Sequence, residues 1–187
     1  VRQMAAFSLG LIGDRSAVEP LRTAVGDRSP LVAGRAAEAL GLIGDTASAP
    51  LIGTLVSVHL GAAAALAQDE SRPQLDAGAD AFRLGVYALA RMKAYEPLAA
   101  AVLGPDGLPR AEWWPVAYAL QRIEDKRALP ALLSLARSEG IFSGISSGGT
   151  FAAAMKVAAK APKGSVILAM LPDTAEQVSK VLKYCCE

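Results

Sequence analysis

Apolar and polar positions follow one another along this chain in a helical rhythm that repeats. Ala5, Ala6, Leu9 and Ile12 fall three or four apart, as do Ala36, Ala37, Leu40 and Ile43, the spacing of one apolar face on a helix. Gly13 and Gly44 follow, each supplying the left-handed residue that ends such a helix. A short polar turn and a second apolar segment come next, Ala17-Val18-Glu19-Pro20-Leu21 or Ala47-Ser48-Ala49-Pro50-Leu51. The proline stands in the first turn, where its missing N–H costs no hydrogen bond. The predicted unit is helix, turn, helix.

The hexapeptide Leu-Gly-Leu-Ile-Gly-Asp ends at Asp14 and again at Asp45, and weaker copies run from Tyr87 to Met92 and from Tyr118 to Ile123. The leading leucine therefore recurs at Leu9, Leu40, Leu89 and Leu120, in steps of 31, 49 and 31 residues. The middle step is one period plus an insertion of 18 residues, placed at about 60–79. Pro20, Pro50, Pro97 and Pro130 keep the same rhythm. Alanine where leucine is expected predicts close helix approach, and two short helices cannot bury such a face alone, so the copies must stack. A mainly α chain follows, an α-solenoid over residues 1–138.

Val1-Arg2, Ala5-Ala6, Leu9-Gly10, Ile12-Gly13-Asp14, Ala17-Val18 and Pro20-Leu21 make this pattern resemble the short bacterial HEAT-like repeat of phycobilisome lyase subunits and many scaffold proteins. The resemblance implies a non-catalytic scaffold that binds a protein partner on its concave face, or a bilin lyase-type subunit. By the same pattern the chain opens on the second helix of a repeat, so a first helix is expected before Val1. Second helices line the concave face of such arrays, which puts Arg35, Glu38, Arg83, Tyr87, Arg91, Trp113, Tyr118 and Arg122 on the expected partner surface. Trp113-Trp114-Pro115 is open to two readings, exposed anchors or a buried staple at a helix start.

Composition narrows the classes. In 187 residues, 52% apolar content with a net charge of +1 excludes a disordered chain. The near balance of 19 basic and 18 acidic residues argues against a nucleic-acid partner. The uncharged run from Thr46 to Gln68 is long enough for a bilayer, but Pro50, Ser57, His59 and its glycines interrupt it, and it reads as a lengthened repeat helix rather than a span. Cys185 and Cys186 are adjacent, a strained geometry for a disulfide, so free thiols in a reducing cytoplasm are expected. His59 is the sole histidine, and no metal site and no catalytic residue is expected.

Basic residue usage then switches. Up to Glu139 there are 12 arginines and 2 lysines, and from Gly140 onward no arginine and 5 lysines. The repeat pattern stops at the same place, which marks a joint between two sequences of different character. Beyond it lie a Gly-Ser turn, an alanine-rich helix, a buried-type strand at Val166–Leu171 and a last helix with a capping box at Asp173 and Glu176. Small residues ahead of a helix leave backbone N–H groups free for an anion, although such turns also precede many helices that bind nothing.

Gly144-Ile145-Ser146-Ser147-Gly148 and Leu171-Pro172-Asp173-Thr174 make residues 139–176 resemble the C-terminal part of the cysteine synthase and cystathionine β-synthase family of pyridoxal-phosphate enzymes. The resemblance implies that Ser146 hydrogen-bonds the cofactor's pyridine nitrogen, with Ser147 and Gly148 beside it. This chain continues with Ala175-Glu176-Gln177-Val178 where the family has Gly-Glu-Arg-Tyr, and the family's cofactor lysine, substrate loop and phosphate loop have no counterpart upstream. The segment thus reads as a helix-strand-helix remnant that binds no cofactor by itself, pyridoxal phosphate being expected only if the resemblance is functional. Phe151, Ala154, Met155, Ala158 and Ala159 offer an apolar stripe one period after Leu120, suited to cap the array, and the lone strand at Val166–Leu171 is a candidate for self-association.

Overall fold

A computed structural model describes residues 1–68 and 76–139 of the chain. Among them are nine α-helices: α1 (Arg2–Ile12), α2 (Val18–Val25), α3 (Pro30–Ile43), α4 (Ala49–Val58), α5 (Leu60–Gln68), α6 (Ala77–Arg91), α7 (Tyr95–Val102), α8 (Trp114–Arg122) and α9 (Leu129–Glu139). No strand occurs among the described residues, only a single antiparallel bridge between Leu103 and Pro109. Residues Val1–Leu135 form one compact unit. The remnant's elements, namely the stripe from Phe151 to Ala159, the strand at Val166–Leu171, the capping box at Asp173 and Glu176, and Cys185 and Cys186, lie outside the described residues.

Each repeat contributes one helix to each of two layers. Helices α1, α3, α6 and α8 carry the periodic leucines, and α2, α4, α7 and α9 carry the periodic prolines. Leu40, Leu89 and Leu120 are fully buried with Leu21, Ile52, Phe82 and Leu98, giving one continuous apolar core. Gly13 and Gly44 end α1 and α3 at φ 76° and 79°, their N–H groups donating to the carbonyls of Leu9 and Leu40.

The alanine-rich faces do bring backbones together. A Cβ on Gly10 would stand 2.6 Å from the Cα of Ala39, and one on Gly41 would stand 2.8 Å from the Cα of Ala88. Gly10 and Gly41 are equivalent positions in successive repeats, so the same contact fastens α1 to α3 and α3 to α6. Polar links join the layer of proline-bearing helices. Arg22 of α2 donates to Asp45 and to the buried hydroxyl of Ser48, both at 2.8 Å, and the Ser48 hydroxyl in turn donates to Asp45. That hydroxyl, with the Arg22 guanidinium, holds the Asp45 carboxyl below its usual range.

Three expectations need correction. The uncharged run from Thr46 to Gln68 is not one lengthened helix. A 3₁₀ turn at Thr46–Ser48 leads into α4, and α4 and α5 meet at His59 with a bend of 51°. Past the bend, Leu60 and Ala63 of α5 are buried and α5 packs against α6. The insertion therefore contains a helix, and α6 already begins at Ala77, capped by the Asp76 carboxylate, which accepts from the N–H groups of Gly78 and Ala79. On α1, Ala5 and Ile12 are exposed with Met4 and Leu11, because α3 covers one side of this helix and leaves the other open.

Among the described residues no single helix is long and apolar enough to cross a membrane; only the bent pair Thr46–Val58 and Leu60–Leu66 reaches that length and character together. Ile52, Val56 and Ala63 of that pair are fully buried in the protein core.

Candidate interaction surface

Helix periodicity sorts the exposed residues of the leucine-bearing layer into stripes. On α6, Asp80, Arg83, Tyr87 and Arg91 follow one another at intervals of three or four, and on α8 so do Trp114, Tyr118 and Arg122. Tyr87 and Tyr118 are equivalent residues of successive repeats, as are Arg91 and Arg122. The stacking of α8 beside α6 therefore puts like against like.

The tyrosine rings meet edge to face, with centroids 5.1 Å apart. Trp114 lies 6.2 Å from Tyr87, and Trp113 lies 6.3 Å from Trp114 and 5.9 Å from the fully buried Phe82. The rings form a continuous file from the core to the surface; Tyr87–Tyr118 and Trp113–Trp114 meet edge to face, and pairs of that geometry are each worth about 0.5–1.5 kcal/mol beyond the area they bury. The two tryptophans divide the two readings of their motif. Trp113, at the N-cap of α8, is half-buried against Phe82 and staples the helix start, whereas Trp114 is 44% exposed and Tyr118 41% exposed.

Burial pushes the Tyr87 phenol above its usual range, against the opposing field of Arg83, so this ring stays neutral. The Arg83 guanidinium sits 5.9 Å from the centre of the Tyr87 ring and 2.8 Å from the Asp80 carboxylate. On α3, Arg35 pairs with Glu38 at 2.7 Å and covers the Phe7 ring of α1 at 5.1 Å. A shallow groove of about 250 Å³ runs between α1, α3 and α6, lined by Gln3, Leu31, Arg35, Asp80, Arg83 and Leu84.

The structure thus gathers Arg83, Tyr87, Trp113 and Tyr118 into one cluster and sets Arg35 on the neighbouring groove. Arg91 and Arg122 are exposed in the last turns of α6 and α8, where the helix dipole also favours a cation. Ser146, Ser147 and Gly148 lie outside the described residues. Sequence reasoning missed Phe7 and Asp80, and it did not weigh Trp114 apart from Trp113. The Tyr-x-x-x-Arg spacing shared by 87/91 and 118/122 was the available signal. Among the described residues no group of three or more His, Cys, Asp or Glu side chains is arranged to hold a metal ion.

Residues 1–67 match the family of HEAT repeats. HEAT repeats are a fold of the protein-interaction scaffold type, and the helical layers agree with it. A curated relative, O-ureido-L-serine synthase of Streptomyces lavendulae, is 43% identical over 75 residues, which make up 40% of this chain and 23% of that protein.

Proposed function

We propose that this chain is a non-catalytic, cytoplasmic interaction scaffold whose protein partner docks on the inner face of the repeats, across α3, α6 and α8. The observation that carries the reading is the aromatic file. Burying an aromatic ring is strongly favourable, so rings left at the surface and locked against one another from the core outward are preorganised for a partner. Trp114, Tyr118 and Tyr87 supply contact area, Trp113 supports them from behind, and Arg35, Arg83, Arg91 and Arg122 frame them.

Panning a random 12-residue peptide library against the immobilised chain tests this. Selected peptides should lose binding to Trp114→Ala and Tyr118→Ala, and should keep it with Leu129→Ala and Leu133→Ala on the exposed side of α9. The opposite pattern would move the partner surface elsewhere.

A second reading rests on the resemblance of residues 139–176 to the cysteine synthase and cystathionine β-synthase family, and takes the residues from about 139 as a fragment of a pyridoxal-phosphate-dependent, cysteine synthase-like enzyme, incomplete and inactive alone. Ser146 could supply one hydrogen bond to the cofactor, about 0.5–1.5 kcal/mol net, without the lysine and phosphate cradle that hold it. After incubation with pyridoxal phosphate and dialysis, no visible absorption band should remain. A retained band, lost on replacing one lysine and weakened by Ser146→Ala, would restore the enzyme.

A further inference from the structure

We infer that the partner of the α6–α8 surface is an acidic peptide segment, an apolar or aromatic side chain of which rests on Trp114, Tyr87 and Tyr118 while its carboxylates meet Arg91 and Arg122. This deepens the scaffold reading and rests on it.

The charges of the leucine-bearing layer are not all alike. Arg35 is neutralised by Glu38 and Arg83 by Asp80, each within its own helix. Glu124, the acidic group closest to Arg122 in sequence, is committed to Lys93 at 3.0 Å. Arg91 and Arg122 make no ion pair among the described residues, and both are exposed. Glu38, Asp80 and Glu124 thus each have a cation within 4 Å, and the guanidiniums in the last turns of α6 and α8 have no such carboxylate, although Glu124 still adds to the field at Arg122; the exposed Glu112 stands at the opposite end of α8, so the positive end of this surface is the one at Arg91 and Arg122.

Geometry adds a spacing. Arg91 lies four residues after Tyr87 and Arg122 four after Tyr118, a rise of about 6 Å along each helix. An extended peptide advances about 3.3 Å per residue, so a carboxylate two positions from the apolar side chain reaches an arginine while that side chain covers the rings. The planar guanidinium fork donates two parallel hydrogen bonds to such a carboxylate.

A nucleic acid also seeks rings and cations, but it needs a continuous basic track, and here Glu38, Asp80 and Glu124 stand between the arginines.

Fluorescence anisotropy with three labelled probes tests the assignment: a 12-residue peptide with Phe and Leu at its centre and three Glu on each side, the same peptide with Lys for every Glu, and a 12-nucleotide single-stranded oligothymidine. The acidic peptide should bind best. The double variant Arg91→Glu/Arg122→Glu should weaken it by on the order of 10-fold, and raising the salt should weaken it further. Trp114→Ala and Tyr118→Ala should each lower its affinity, with the helical circular dichroism of every variant retained.

Equal binding of both peptides, sensitive to Trp114→Ala and not to the arginines, would overturn the acidic partner and leave the scaffold surface standing. Preference for the basic peptide or for the oligothymidine would overturn it as well. Failure of all three probes, with library peptides bound to a chain lacking Trp114 and Tyr118 as tightly as to the native one, would overturn both readings.

Discussion

Lys93 and Glu124 occupy the same place in successive repeats, four residues after the periodic leucine, and their side chains meet at 3.0 Å. Both are left-handed, at φ 56° and 58°, in the position that Gly13 and Gly44 fill in the first two copies. A residue with a Cβ is disfavoured there by roughly 1–2 kcal/mol, and the pair offsets part of that strain. Lys93 also donates to the Arg122 carbonyl at 2.6 Å, satisfying an acceptor in the last turn of α8.

Replacing either residue with glycine relieves strain and breaks the pair, so each single variant is expected within about 1 kcal/mol of the native stability. The double variant Lys93→Gly/Glu124→Gly relieves strain twice and loses the pair once. It should therefore exceed the sum of the two single changes, as read by urea unfolding. Strict additivity would show that the pair contributes nothing.

Gly41 and Gly44 lie three residues apart and should fail differently. Gly41→Ala pushes a methyl group against the Ala88 backbone at 2.8 Å and should cost about 1–3 kcal/mol by prying α3 from α6. Gly44→Ala meets nothing within 4 Å and pays only for its φ of 79°, about 1 kcal/mol. Equal losses in thermal unfolding, or a greater loss at Gly44, would contradict the close approach.

Leu40 is fully buried with repeats on both sides of it. Leu40→Ala is expected to lose about 2–5 kcal/mol, the range for buried leucines. A loss below about 0.5 kcal/mol in denaturant unfolding would mean that the face is not packed.

Burial lowers the imidazole pKa of His59 below 6.5 in the folded protein, with the field of Asp76 opposing. The fold therefore prefers neutral His59. Its contribution is fully present above the unfolded value of about 6.5 and is lost as the pH falls from there toward the folded value, because the unfolded chain binds the proton first. His59→Gln should flatten the stability curve in that window, as followed by thermal melts between about pH 4 and 8. A His59→Gln curve parallel to the native one would remove the histidine from the account.

The parts legible in the sequence are those that the period repeats. Leu9, Leu40, Leu89 and Leu120, and the four prolines, announced both layers because each repeat touches its neighbours through the same positions. The insertion obeys no such rule. Leu60 and Ala63 turn inward through a bend at His59 that no hydrophobic spacing encodes, so a single helix was the simpler inference. Ile12 follows the apolar pattern yet is exposed, since pattern tells which face suits a neighbour and not whether one is there. The surface was least legible. Trp113 and Trp114 are the same residue type side by side, and only the position of Phe82 beneath α8 decides which ring is covered.

Gly10 against Ala39 and Gly41 against Ala88 also give the array its mechanics. At these two junctions backbone rests on backbone, with no side chain whose rotamers could yield, so repulsion rises steeply and the helices move as one stiff body. The equivalent position in the third copy is Ala90, which carries the methyl group that Gly10 and Gly41 lack, and α6 and α8 also meet through the rings of Tyr87, Trp114 and Tyr118. The partner surface around Trp114 and Tyr118 thus hangs from a joint made of side chains, while the two joints behind it are made of backbone: a pull on the rings would be carried through α6 into α3 and α1 as into one stiff lever.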